Sequence, residues 1–198
     1  MLFPGKSIFW YYTIILIISG IAFWFCIPIP LFTDPFSTVI TDRNNELLGA
    51  RIADDGQWRF PKGDSIPEKY KEALLLFEDK YFFRHPGINP ISLYKALGRN
   101  IKARRIVSGG STISMQVIRL SRKGKPRTVY QKFIEILLTV RMELSYTKEE
   151  ILLLYSAHAP FGGNVVGIEA ASWRYFGRNS STLSWSDAAV LAVLPNSP

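Results

Sequence analysis

Between Ser7 and Thr33 the chain carries no charged residue. The apolar run from Ile8 to Ile27 is about 30 Å long as a helix, which matches the hydrocarbon core of a bilayer. Trp10, Tyr11 and Tyr12 at one end and Trp24 at the other suit the two interfacial belts. A cleaved signal peptide is the competing reading. Its apolar region is normally shorter, however, and Pro28-Ile29-Pro30 stands where a small-x-small cleavage site belongs. The sequence therefore predicts an uncleaved, single-pass transmembrane anchor over residues 8–27. Lys6 ahead of it favours a cytoplasmic N-terminus, residues 1–7, with everything after it on the outer side.

The rest of the chain is of ordinary globular composition. Of 198 residues, 47% are hydrophobic, and the excess is concentrated in that first run. A net charge of +8 points to an anionic partner such as a phospholipid surface, a phosphate-bearing substrate or nucleic acid. Cys26 is the sole cysteine, so no disulfide forms within the chain. Residues 28–60 read as a stiff proline linker followed by a small β hairpin, Ser37–Thr41 against Glu46–Ile52, with Asp54-Asp55-Gly56 as a turn. From residue 61 to 198 the periodicity is mainly helical, so the expected fold class is mainly α.

Helices are expected over Glu68–Phe83, from Pro90 to about Ala103, from the glycine turn Ser108–Thr112 to Leu120, over Arg127–Leu144, and from Lys148 to about Ala157. Small residues over Gly167–Ala171 suit close helix packing, and a last helix follows Ser184-x-x-Asp187. Asn89-Pro90 supplies an N-cap with proline at N1, and Thr147-x-x-Glu150 a capping box. The helix from Pro90 is expected to bury Ile91, Tyr94, Leu97 and Ile101. The ending Pro195-Asn196-Ser197-Pro198 reads as the start of a loop, so the chain is expected to be a piece of a longer protein.

Three features carry chemistry. In the first helix Leu74, Glu78, Phe82 and His85 recur at helical spacing, which places a carboxylate in an apolar row. Such a group meets a partner or has its pKa raised by desolvation, as a general base near neutral pH requires. A solvated surface Glu is the plainer reading. The second feature is the glycine turn, where Gly109 and Gly110 let backbone approach a ligand and a helix N-terminus offers N–H groups to a phosphate. Lys102, Arg104, Arg105, Arg119, Arg122, Lys123, Lys125 and Arg127 surround it in sequence; a simple N-cap at Ser111 is the plainer reading. The third is Glu135, an acid inside Phe133–Leu138 with Lys132 three residues before it; a neutralised pair on the helix surface is the plainer reading, and a buried acid near a basic site the sharper one. Ser92-x-x-Lys95 matches a penicillin-reactive signature but lacks its companion motifs and reads as chance. His85 and His158 have no cysteine partners, so no zinc site is expected.

Taken together, Glu78-Asp79-x-x-Phe82-x-x-His85-x-Gly87, Gly109-Gly110-Ser111-Thr112-Ile113-Ser114-x-Gln116, Lys132-x-x-Glu135 and Lys148-x-x-Ile151-Leu152-x-x-Tyr155 resemble the successive motifs of the peptidoglycan glycosyltransferases, glycosyltransferase family 51. These are the polymerase domains of class A penicillin-binding proteins. Gly167-x-x-Ala170-Ala171-x-x-x-Tyr175-Phe176-Gly177 resembles the last motif, and Ala159–Asn164 is most similar to the 1C branch. The resemblance implies a lysozyme-like domain on one membrane anchor in a bacterial cytoplasmic membrane. It implies lipid II and a lipid-linked glycan as substrates, with other cell-wall synthesis proteins as possible partners and no nucleic acid. By motif match Glu78 is the general base and Glu135 the second essential acid. Asp79, Phe82, His85, Gly110, Ser111, Thr112, Gln116, Arg119, Arg127 and Lys132 match positions at the substrate. A divalent cation, Mg2+ or Mn2+, is expected on the substrate's diphosphate rather than in a protein cage.

The chain departs from the pattern at Met115, at Gln131, where the family usually has Arg, and at Ser156-Ala157. None of these touches Glu78 or Glu135. Two alternatives follow: a non-catalytic membrane module that binds lipid II or a cell-wall partner, and a lysozyme-like glycan-cleaving enzyme. The basic turn and the second acid disfavour the latter.

Overall fold

The computed structural model describes residues 5–44, 46–105, 109–123, 125–126 and 128–196. Helix α1 (Gly5–Trp24) comes first and exposes large apolar side chains from Phe9 to Trp24 on every side. It stops three residues short of the predicted stretch, because Ile27 turns away to join the core of the domain. Among the described residues no helix is long and apolar enough to cross a membrane.

Strands β1 (Thr38–Thr41) and β2 (Leu47–Arg51) form the expected antiparallel hairpin, with Thr38 opposite Arg51 and Ile40 opposite Gly49. A second pair, β3 (Trp58–Arg59) parallel to β4 (Val165–Val166), ties the end of the linker to the loop after residue 160. Two-residue strands leave too short a pattern to be read from sequence.

The helical body comprises α2 (Glu68–Glu78), α3 (Pro90–Ala103), α4 (Ile113–Ser121), α5 (Val129–Glu143), α6 (Lys148–His158), α7 (Ile168–Phe176) and α8 (Trp185–Val193). Helix α4 is central and packs on both α5 and α6, while α2 packs on α8. The core joins Tyr70 and Leu74 of α2 to Ile113, Val117 and Ile118 of α4, Met142 of α5, and Ile151, Leu152 and Tyr155 of α6. The caps follow the sequence at Asn89, Thr147 and Ser184, and both capping boxes close. Helix α4 is capped by Thr112 rather than Ser111, and α5 by Thr128.

Two expectations fail. Helix α2 ends at Glu78 instead of Phe83, because Asp79 leaves helical space (φ −157°, ψ 74°) to turn its carboxylate inward. A short 3₁₀ turn, Phe82–Arg84, follows. Leu74, Phe82 and His85 are buried as expected, but by this turn and not along one continuous helical face. Helix α3 leaves exposed three of the four expected core residues: Ile91, Tyr94 and Ile101 are 66%, 79% and 67% exposed, and the side chain of Leu97 lies outside the described residues. Among its described apolar residues only Ala96 is buried, and Leu93 lies against Gly110.

Gly167 sits between α6 and α7 at φ +84°, and a Cβ there would lie 2.6 Å from the Ala157 carbonyl oxygen. Backbone cannot yield as a side-chain tip can. Gly167→Ala is expected to cost about 2–4 kcal/mol and to lower the melting temperature by roughly 4–16 °C. Thermal denaturation followed by circular dichroism checks it; an unchanged midpoint would show that the α6–α7 joint is free to relax.

Candidate active site

The site is assembled around the N-terminal half of α4. On one side Gln116 donates from Nε2 to Glu78 Oε2 at 2.6 Å, so the last residue of α2 is fixed by α4. On the other side Ser111, just ahead of the cap, accepts from Lys132 Nζ of α5 at 2.7 Å. Lys132 also pairs with Glu135 Oε2 at 3.2 Å. Glu135 is buried, and Lys132 is half-buried. The plain reading of Lys132 and Glu135 as a solvated surface pair therefore fails. Glu78 is half-buried and is neither solvated freely nor sealed in the core.

Beneath this mouth lies a second polar layer. Asp79, buried, accepts from the Ile113 N–H at 3.2 Å and faces His85 Nε2 with both carboxylate oxygens at 3.0 Å. A carboxylate on Nε2 fixes the tautomer with the proton there. The Met115 N–H goes to Thr112 Oγ1 at 3.2 Å, and the Thr112 hydroxyl itself donates to the Gly87 carbonyl at 2.5 Å. The anion at the start of α4 is thus the protein's own Asp79. The Ile113 and Met115 N–H groups, which a phosphate would need open, are taken up within the protein. Gly110 likewise makes its close approach to protein: a Cβ on it would lie 2.8 Å from Leu93 Cα of α3. Gly109 has open space around it.

Lys148, a motif position in the sequence, completes the lower layer. Its ammonium donates to Glu143 Oε1 and to the His85 carbonyl, both at 2.8 Å, and lies 4.4 Å from the centre of the Phe82 ring. Glu143 also accepts from Ser114 Oγ at 2.5 Å. Sequence reasoning missed Glu143; its spacing of five residues from Lys148 crosses a helix break and gives no i,i+4 signal.

Two buried tyrosines flank Glu78. Burial drives the hydroxyls of Tyr70 and Tyr155 well above their usual pKa, and the Glu78 carboxylate adds to the effect in both. Both therefore stay neutral. Arg119, half-buried on α4 three residues after Gln116, acts on Tyr155 in the opposite sense. Gln131, which stands where the family pattern has Arg, accepts from Arg122 Nη2 at 2.7 Å, so a guanidinium is held at that place from α4 instead. Arg127 and Ser108 lie outside the described residues.

A family model described as Transglycosylase matches residues 45–198. The chain belongs to the transglycosylase family. As a glycosyltransferase family 51 domain it is 42% identical over 174 residues to penicillin-binding protein 1C of Escherichia coli K12, covering 86% of this chain and 22% of that protein. It is 38% identical over 135 residues to penicillin-binding protein 1A of Aquifex aeolicus, covering 68% of this chain and 19% of that one. Penicillin-binding protein 1A/1B of Bacillus subtilis 168 is 36% identical over 167 residues, with 83% and 18% covered. The chain spans about a fifth of the length of these curated relatives. The transglycosylase motifs named from the sequence all fall inside the matched region; Glu78 meets Gln116, and Ser111, Lys132 and Glu135 form a second linked group ahead of the same helix.

Proposed function

We propose that the chain is a membrane-anchored peptidoglycan glycosyltransferase that polymerises lipid II into β-1,4-linked glycan. The observation that carries this reading is the 2.6 Å contact by which Gln116 of α4 aims Glu78, with Ser111 just ahead of that helix holding Lys132 of α5 beside Glu135. Glu78 takes the proton from the 4-hydroxyl of the acceptor N-acetylglucosamine. The freed oxygen pair attacks the anomeric carbon of the lipid-linked donor from the face opposite the leaving group. The carbon–oxygen bond to the diphosphate breaks with inversion, and its electron pair leaves on polyprenyl pyrophosphate. Lys132 and Arg119, with Arg127 by motif match, offset the charge that develops there. Glu135 keeps Lys132 oriented and faces the donor. Asp79, His85, Phe82 and Thr112 support the base from below, and Gly110 lets α3 close on the turn.

Among the described residues no three acids, histidines or cysteines converge to hold a metal. A divalent cation, Mg2+ or Mn2+, would be carried by the substrate diphosphate and offset its charge there.

Helix α1 is read as the single-pass anchor, in a bacterial cytoplasmic membrane with the domain on its outer side. The charge-free run from Ser7 to Thr33 and the exposed apolar girdle of α1 support this.

The test is polymerisation of purified lipid II by the full chain in phospholipid vesicles. Glycan longer than a tetrasaccharide, digestible by lysozyme, is expected. Binding of lipid II without polymer would favour the non-catalytic module, and soluble fragments released from purified sacculi would favour the cleaving enzyme.

A further inference from the structure

Residues 28–35 read in sequence as a stiff linker, yet they and the end of α1 before them are docked on the body at several points. Arg141 of α5, only 3% exposed, donates from Nε to the Trp24 carbonyl at 2.8 Å, and its guanidinium lies 4.2 Å from the centre of the Trp24 ring. Ile27 and Leu31 are buried in the domain core. Phe32 stacks on His158, the last residue of α6, at 3.7 Å between ring centres and 7° between planes. The Asp34 carboxylate binds the Lys123 ammonium and lies 3.7 Å from His158 Nδ1. Burial pushes the His158 imidazole down to about 4, so at neutral pH it is uncharged and the charge of Asp34 answers Lys123. The Pro35 carbonyl accepts from Arg59 at 2.7 Å.

A plain tether makes no such contacts, since ordering each residue costs about 1–2 kcal/mol of backbone entropy. The contacts also fall on particular elements. Arg141 is on the helix that carries Lys132 and Glu135, and Lys123 follows the helix that carries Gln116. We propose that Asp34 and Arg141 are positioning residues, which strap α1 to α4 and α5 so that the Glu78 cleft is held at a set height above a lipid bilayer. The inference rests on the polymerase reading. The reacting diphosphate of a lipid-linked sugar sits at headgroup level, and misplacing reacting groups by about 1 Å can cost on the order of a hundredfold.

The experiment uses the full chain, with Asp34→Ala and Arg141→Gln, in phospholipid vesicles and in detergent micelles. In vesicles, amide hydrogen exchange over residues 25–35 is expected to rise about tenfold in both variants while α4 keeps wild-type protection. Polymerisation is expected to fall about tenfold in vesicles and to stay within about twofold of wild type in micelles, which impose no height. Unchanged exchange overturns the proposal, as does a loss of equal size in both media, which would make these residues merely stabilising. A wild type that makes no glycan in either medium overturns the polymerase reading instead, and the exchange measurement still decides the strap.

Discussion

Glu78→Gln is expected to lower lipid II polymerisation by about 10²–10⁴-fold, to the limit of detection in a steady-state assay, with the fold unchanged. The amide keeps the size of the carboxylate and still offers an oxygen to Gln116 Nε2, so the 2.6 Å contact survives. What it lacks is a lone pair basic enough to take the acceptor's proton. Glu78 is half-buried at the end of α2 and lies outside the core cluster, so the substitution leaves the packing of Tyr70 and Leu74 alone. The melting temperature is therefore expected to stay within about 2 °C of wild type. Retained polymerisation would remove Glu78 from the role of base. A large fall in melting temperature would mean that the carboxylate holds the fold and would leave its chemistry unproved.

How far the sequence discloses this site depends on how local each determinant is. Caps are local, and Asn89, Thr147 and Ser184 act where they were read. The hairpin was legible for the same reason. The end of α2 was not, because the force that ends it is distant: Asp79 breaks the helix to reach Ile113, which is 34 residues away. Read by periodicity alone, Asp79 is one more acid beside Glu78; in the fold it is the anion that occupies the start of α4. That single contact also shows why a glycine turn before a helix does not say whether an outside anion or the protein's own acid fills the helix start. The exposed face of α3 shows the opposite limit. Its apolar spacing predicts a buried helix, but periodicity reports that a face is apolar and not what covers it. Lys132 and Glu135 were legible as a pair, while their link to Ser111 needed the fold.

Glu143→Ala is expected to have the largest effect on stability, about 3–5 kcal/mol, or a fall in melting temperature of roughly 6–20 °C. Glu143 and Lys148 face each other at 2.8 Å with side chains 10% and 18% exposed. Removing the carboxylate leaves an ammonium with little access to water and takes the acceptor from the Ser114 hydroxyl. The lost stem also empties space against Gly87, where an added Cβ would come within 2.7 Å of Glu143 Cγ. Lys148 would keep the His85 carbonyl and the Phe82 ring, so the damage reaches the floor of the site through His85 and Phe82. Glu143→Gln should cost less, because an amide oxygen still accepts from Lys148 and Ser114. Adding Lys148→Met to Glu143→Ala should recover part of the loss, since the uncompensated charge goes with it. If the double variant melts at the sum of the two single losses, the two residues act independently, and the lower layer is not the unit that holds Asp79 and His85 beneath Glu78.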